Sequence, residues 1–201
     1  VSFGYEDKAV LENLTLQVSP GEQVTLSGRT GAGKSTVLKL LLGLYSPQSG
    51  AVELFGIPAD RIPEGDKRRL TGYVEQSFHM VPGTVGDQIT LYDDTVSPAQ
   101  VRRAAELVGL LDTVEALPRG FDTPCAPELF SQGQWQLLSI ARAAVTNPQI
   151  LLLDEITANL DAETERMVLQ ALKNVSENRT VISISHRTEA EEGRIVPIGK
   201  P

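Results

Sequence analysis

The sequence predicts an α/β fold: a core with a mainly parallel sheet, an N-terminal antiparallel β subdomain and an inserted α-helical subdomain. Strand patterns alternate with helix patterns along most of the 201 residues. The segment 149–155 contains an unbroken apolar run at 150–153, which is typical of a parallel strand buried on both faces. Residues from about 77 to 145 contain only helix patterns. We therefore expect one domain, with the core and β subdomain at 1–76 and 146–201 and the helical subdomain at 77–145.

The composition restricts the class of protein. A formal net charge of -8 argues against duplex nucleic acid as a partner, which would favour a basic face. The one cysteine, Cys125, excludes an internal disulfide and fits a reducing compartment. No apolar run reaches the roughly 18 residues of a membrane span, and no signal peptide is visible. Because strand patterns lie at Val1 and close to Pro201, we expect a piece of a longer polypeptide.

The first half of the chain contains four predicted strands and one helix. An alternating segment at 9–18 predicts a half-buried strand, and 21–28 predicts a short strand that enters a loop. An apolar-faced helix is expected at 34–44, a Gly-bounded hairpin strand at 49–56, and a strand at 69–76 that ends at a glutamine.

The second half of the chain contains several helix-start signals. Ser97, Pro98 and Gln100 form a capping-box pattern before a helix that Gly109 ends. Further predicted elements are a helix at 134–145, a strand at 149–155, a helix from about 162 that Asp161 caps, and a last core strand at 180–186.

The strongest chemical signal is the segment GRTGAGKST at 28–36, which matches G-x-x-x-x-G-K-[ST] between a strand and a helix. Its backbone N–H groups would converge on phosphate oxygens, and the helix adds its positive end. Lys34 would reach the β- and γ-phosphates, and the Ser35 hydroxyl would bind Mg²⁺. This context predicts a P-loop NTPase core. The expected nucleotide contacts are Gly28, Arg29, Thr30, Gly31, Ala32, Gly33, Lys34, Ser35 and Thr36.

Two carboxylates follow the apolar strand at 149–155. Asp154 would lie at the carboxyl edge of the sheet, where ligands bind in such folds, and would hold Mg²⁺. Glu155, the next residue, would polarise an attacking water. The alternative is a pair of solvated carboxylates that cap the following helix.

Three further residues have both a functional and a structural interpretation. His186 follows a core strand, where its imidazole would bond the γ-phosphate or simply support the fold. Gln76 would lie beside Mg²⁺ on a hinge into the helical subdomain, or be an ordinary polar residue at a strand end. Tyr5 would stack on an adenine, or be an ordinary strand aromatic.

The segment LFSQGQWQ at 129–136 has the form of a second anion-binding helix start. Ser131, Gly133 and Gln134 precede a long apolar helix, although one phosphate loop already accounts for a bound nucleotide.

The order of these motifs resembles the nucleotide-binding domain of ATP-binding cassette (ABC) transporters over nearly the whole chain. The resemblance implies that two such domains, identical or different, pair head to tail around two ATP molecules. Ser131, Gly133 and Gln134 would then contact the γ-phosphate held by the partner, and Asp161 would touch the opposite subunit. Gln132 stands where the family usually has glycine, and Phe130 where it has leucine.

Within the family, residues 83–89 and 120–123 are similar to the exporter branch. The segment 124–130 is shorter than the Gly- and Glu-rich segment usual in exporters, and it contains no glycine. The resemblance implies Mg²⁺-dependent ATP hydrolysis that drives transport. Glu155 would be the general base and His186 the γ-phosphate sensor, with Lys34 and Gln76 in the catalytic group. The resemblance also implies transmembrane domains on the same polypeptide and a location at the cytoplasmic face of a membrane.

Two alternatives stay open on the sequence. One is a soluble ABC-type ATPase of DNA repair or translation, although fewer than a hundred residues separate the phosphate loop from the signature segment. The other is a regulatory nucleotide-binding domain that no longer hydrolyses. The transported substrate cannot be read from this sequence.

Overall fold

The computed structural model describes residues 1–6, 8–156, 160–184 and 193–199. Its strands are β1 (Phe3–Tyr5), β2 (Lys8–Leu11), β3 (Gln23–Ser27), β4 (Glu53–Leu54), β5 (Ile57–Pro58), β6 (Thr71–Val74), β7 (Ile150–Asp154), β8 (Thr180–Ile184) and β9 (Arg194–Pro197). Its α-helices are α1 (Lys34–Leu41), α2 (Glu64–Leu70), α3 (Val85–Thr90), α4 (Pro98–Leu107), α5 (Leu111–Glu115), α6 (Gln132–Ala144) and α7 (Ala162–Ser176).

A five-stranded parallel sheet with the order β6–β7–β8–β3–β9 forms the centre. The pairs β1–β2 and β4–β5 are antiparallel and form small separate sheets. The predicted α/β fold, with its parallel core sheet, small antiparallel β part and helices, is confirmed. The division of the chain at residues 76 and 146 stays a prediction. Among the described residues, no helix is both long and apolar enough to span a membrane.

The sheet separates two hydrophobic clusters, because successive side chains of a strand point to opposite faces. Ile150 and Leu152 of β7 belong to the cluster that contains the apolar side of α1. Leu151 and Leu153 belong to the cluster that contains the buried residues of α3, α4, α6 and α7. Helices α1 and α6 therefore pack on opposite faces of the same sheet.

The strand predicted at 9–18 is wrong beyond Leu11, where β2 ends. Asn13 adopts a positive φ of 50°, which breaks the extended backbone. Leu14, Leu16 and Val18 still pack partly buried against the α1 cluster. The alternation therefore predicted the inward-facing side chains correctly. Beyond Leu11, however, the segment forms no strand, and within the described ranges it pairs with its neighbour only where Leu14 exchanges backbone hydrogen bonds with Val1.

The other predicted elements are found within a few residues of their expected positions. Ser97 and Gln100 form both bonds of the predicted capping box at α4, and Asp161 caps α7. Helices α2, α3 and α5 were not predicted individually, and the last strand with predicted bounds was at 180–186, before β9. Strand β9 pairs in parallel with β3 and contributes an edge of the sheet.

The first turns of α6 and α7 approach each other closely at Gly133. A Cβ placed on Gly133 would lie 2.6 Å from Cγ2 of Thr164, nearer than side chains pack. The Oγ1 hydroxyl of Thr164 meanwhile donates to Oδ2 of Asp161, the residue that caps α7. Gly133 is therefore required for packing within the chain, whatever it contributes to a ligand.

Gly133→Ala is expected to lower the free energy of unfolding by about 1–3 kcal/mol, because the added methyl overpacks this contact. Chemical denaturation measures the change. In a Thr164→Ser background, where Cγ2 is gone and the hydroxyl is retained, the same substitution should cost much less. An equal loss of unfolding free energy in the two backgrounds would show that the contact with Cγ2 of Thr164 is not the cause.

Candidate nucleotide-binding site

The phosphate loop joins β3 to α1, and at each end a glycine lies too close to a neighbouring segment to carry a side chain. Gly28 adopts φ 147°, and a Cβ there would lie 2.5 Å from the carbonyl oxygen of Ile198. Gly33 adopts φ 97°, and a Cβ there would lie 2.8 Å from Cδ2 of Leu11. Only glycine fits both requirements without strain. Arg29, Thr30 and Gly31 are exposed on the loop between them, and Ala32 is partly buried.

Lys34 lies inside this loop and is 5% exposed. Its Nζ donates to the carbonyl oxygens of Gly28 at 2.8 Å and Arg29 at 3.1 Å. The N-cap of α1 is Gly33, which makes no side-chain cap, and the first turn contains no acidic residue. The positive end of the helix and the lysine cation therefore point to an anion as ligand.

Ser35 and Asp154 meet at the carboxyl edge of the sheet. The Ser35 Oγ donates to Asp154 Oδ1 at 3.4 Å, and the Tyr73 hydroxyl donates to Asp154 Oδ2 at 3.2 Å. A hydroxyl beside a carboxylate is an oxygen-ligand pair that suits Mg²⁺. In the described part of the chain no three His, Cys, Asp or Glu side chains cluster as a metal cage. Oxygens of the nucleotide phosphates would therefore supply further ligands to a Mg²⁺ at this site.

The carboxyl of Asp154 is half-buried, and this changes its titration. Burial raises the pKa of Asp154, and the negative charge of Glu155 raises it further, while the hydrogen bonds from Tyr73 and Ser35 oppose the rise. Burial, together with the charge of Asp154, also raises the pKa of Tyr73. Tyr73 therefore stays a neutral donor to this carboxylate.

Glu155 follows β7 with φ 47°, in the left-handed region that is unfavourable for a residue with a side chain. Such a conformation costs about 1–2 kcal/mol. Its backbone N–H donates to the carbonyl oxygen of Ile184, at the end of the neighbouring strand. The predicted base thus lies beside the predicted metal ligand in a constrained backbone. His186 lies outside the described residues.

Tyr5 is one of three packed aromatic rings. Its ring is edge-on to Phe3 and to Tyr45, with centroids 5.0 Å and 5.4 Å away. Its hydroxyl lies 3.5 Å from Oγ1 of Thr36, in the first turn of α1. The structure therefore places Tyr5 next to the phosphate-loop helix, although the two residues are 31 positions apart. Gln76 is exposed, two residues after the end of β6.

The segment at 129–136 forms a capped helix start. The Ser131 Oγ accepts from the N–H of Gln134, and Gln134 Oε1 accepts from the N–H of Ser131. Ser131 and Gln132 are exposed, whereas Gly133 is buried. Among the described residues, no hydrogen bond joins this segment to the phosphate loop, which opens a helix on the other face of the sheet. The structure thus separates these predicted site residues from the rest.

Two groups near the site were not predicted from the sequence. Tyr73 was not singled out, because its contact with Asp154 depends on the register of β6 against β7. Trp135 stacks on Phe78 with centroids 4.9 Å apart, and the guanidinium carbon of Arg142 lies 4.2 Å from the Phe78 ring. Arg142 also donates to the carbonyl oxygen of His79. These contacts tie α6 to the segment that follows Gln76.

Residues 11–158 match the family model described as ABC transporter. The chain belongs to the ABC transporter family. This ABC transporter domain is 35% identical over 212 residues to the putative ABC transporter ATP-binding protein exp8 of Streptococcus pneumoniae, a match that covers 99% of this chain and 36% of exp8. It is 38% identical over 211 residues to the mycobactin import ATP-binding/permease protein IrtA of Mycolicibacterium smegmatis, covering 99% of this chain and 24% of IrtA.

A solved structure of a bacterial Atm1-family ABC exporter with ATP bound resembles the ABC transporter domain with a TM-score of 0.85 and 36% identity. The match covers 98% of this chain and 36% of the exporter chain. The chain thus spans about a quarter to a third of the length of the relatives described here. It is an ATP-binding domain of the ABC transporter family, and ATP-binding domains of this family are ATPases.

Asp154→Asn is expected to raise the thermal unfolding midpoint of the ABC transporter domain at neutral pH in EDTA. Because burial raises the pKa of Asp154, the ionised carboxylate destabilises the folded state above that pKa. This penalty is complete at neutral pH and is lost as the pH falls through the raised pKa towards the ordinary value. The difference in thermal unfolding midpoint between the Asp154→Asn variant and the wild type should therefore become smaller at acidic pH.

Asp94→Asn, which removes an exposed carboxylate outside the site, is the matched control and should shift the midpoint little at any pH. Scanning calorimetry over a pH series measures both variants. An Asp154→Asn chain less stable than wild type at neutral pH would contradict the burial penalty.

Proposed function

We propose that this domain is the ATP-hydrolysing motor of an ABC exporter and that it works as one of two paired domains. ATP·Mg²⁺ binds between the phosphate loop of one domain and the segment at 129–136 of a second domain, identical or different. Binding closes the pair, and hydrolysis releases it. The resulting motion drives transmembrane domains that transport a substrate.

One observation carries the pairing. Ser131 opens α6 on one face of the sheet, while the phosphate loop opens α1 on the other. The capping box satisfies the N–H groups of Ser131 and Gln134, but the exposed helix start keeps its positive end, which favours an anion as ligand. Because the chain does not bring this helix start to its own phosphate loop, a phosphate held by a second domain is the natural ligand.

The proposed catalytic roles follow from the geometry at the sheet edge. Asp154 and Ser35 hold Mg²⁺, which would neutralise charge on the phosphates when it is bound. Lys34 stabilises the same charge from inside the loop, and Glu155 accepts a proton from the attacking water. Gln76, beyond the end of the adjacent strand, would respond to the γ-phosphate.

The remaining roles rest partly on the resemblance. His186 stays predicted as the γ-phosphate sensor. Tyr5 would stack on adenine, and its contact with Thr36 supports that position. On the second domain, Ser131, Gly133 and Gln134 would contact the phosphate, and Asp161 would lie at the interface as well as capping α7.

We propose that the transmembrane partner is part of the same polypeptide. The name of IrtA, of which this chain covers 24%, describes an ATP-binding/permease protein. Its name also describes import, whereas the Atm1-family structure is an exporter. The exporter assignment therefore rests on fold and motif likeness. The domain would work at the cytoplasmic face of a membrane.

Glu155→Gln tests this mechanism. Removing the general base should lower ATP hydrolysis by about 100-fold or more. With ATP and Mg²⁺ the variant should form a stable dimer, because the nucleotide stays intact between the two domains. Phosphate release measures the first effect and size-exclusion chromatography the second.

Glu163→Gln is the matched control, since it removes an exposed carboxylate in the first turn of α7 and should hydrolyse ATP as the wild type does. Normal hydrolysis by Glu155→Gln would rule out Glu155 as the base. A Glu155→Gln chain that stays monomeric at saturating ATP would count against the pairing of identical chains.

A further inference from the structure

We infer that Tyr73 is a positioning residue for the magnesium site: its hydroxyl holds the carboxylate of Asp154 so that Oδ1 is presented to the metal beside Ser35. This inference deepens the proposed function and rests on it. The Tyr73 hydroxyl donates to Asp154, so in this proposal it would act through that residue.

The strand register explains how the two residues meet. Tyr73 pairs with Leu152, so Asp154 is two residues further along β7 and on the same face of the sheet. This diagonal separation is within reach of an aromatic side chain. The Tyr73 ring packs partly buried against the cluster that contains Leu152, which fixes the position of its hydroxyl. The hydroxyl then lies 3.2 Å from Asp154 Oδ2.

The two oxygens of the carboxylate have different partners. Ser35, itself a proposed metal ligand, donates to Oδ1, while Tyr73 donates to Oδ2. Tyr73 therefore leaves the metal side of the carboxylate free and restricts its rotation from the other side. Mutation of groups that orient metal ligands in this way typically costs about 10- to 100-fold in metal affinity or activity.

Tyrosine suits this task because its hydroxyl is a neutral donor. A tyrosine hydroxyl donates a hydrogen bond without carrying a positive charge. A lysine or arginine at this place would neutralise the carboxylate and compete with Mg²⁺ for its charge. A neutral donor satisfies one oxygen of the half-buried carboxylate and leaves its negative charge for the metal.

Tyr73→Phe removes only the hydroxyl and keeps the packed ring. We expect the dissociation constant of Mn²⁺, measured by electron paramagnetic resonance with adenylyl imidodiphosphate bound, to rise about 10-fold. The affinity for the same nucleotide in EDTA should not change, because the phosphate loop is intact. In the ATPase assay the Mg²⁺ concentration for half-maximal rate should rise, and saturating Mg²⁺ should restore most of the rate.

Tyr92→Phe is the matched control. Tyr92 also donates its hydroxyl to a protein oxygen, the carbonyl of Pro82, but it lies in the helical part of the chain. The Mn²⁺ affinity of the Tyr92→Phe variant should equal that of the wild type. Unchanged Mn²⁺ affinity in Tyr73→Phe, or an equal loss in Tyr92→Phe, would overturn the inference. If the wild type binds no Mn²⁺ with the nucleotide, the proposed function itself fails.

Discussion

The parallel sheet separates the helix that begins at the phosphate loop from the helix that begins at Ser131, and the proposed pairing of two domains depends on that separation. It follows from β7, whose side chains alternate between the two hydrophobic clusters. The same strand delivers Asp154 and Glu155 to the edge beside the phosphate loop. One buried strand therefore carries the proposed metal-binding and base carboxylates and also separates the two helix starts.

The helix start at Ser131 is held by hydrogen bonds and packing within the chain. Ser131 and Gln134 complete a capping box at α6, and Asp161 caps α7. Thr164 joins these two helix starts, since its hydroxyl bonds Asp161 and its methyl packs against Gly133. Such preorganisation reduces the entropy lost when an anion binds. Residues that the family resemblance assigns to a partner interface thus also have structural roles within one chain, and sequence patterns alone do not separate the two.

The parts predicted from the sequence are those encoded by neighbouring residues. The phosphate loop, the capping box of α4, the Asp161 cap of α7 and the apolar strand β7 are local patterns, and the structure has each of them. The motifs also predicted that Ser35 and Asp154 meet at one metal site, but the other contacts between distant segments were not predicted. Tyr73 reaches Asp154 only through strand register, and Phe78 meets Trp135 only through packing of the helices. Beyond Leu11 the alternating pattern was misleading, because side-chain burial there needs no strand partner.

Complementation between two inactive variants tests the composite site most directly. Lys34→Ala disables the phosphate loop, and Ser131→Arg disables the opposing helix start, so each chain alone should fail to hydrolyse ATP. A mixed dimer contains one site with both defects and one intact site. An equal mixture should therefore regain about a quarter of the wild-type rate if symmetric dimers re-form at random. A mixture that stays inactive, or a Ser131→Arg chain that hydrolyses ATP normally, would contradict a site shared between two chains.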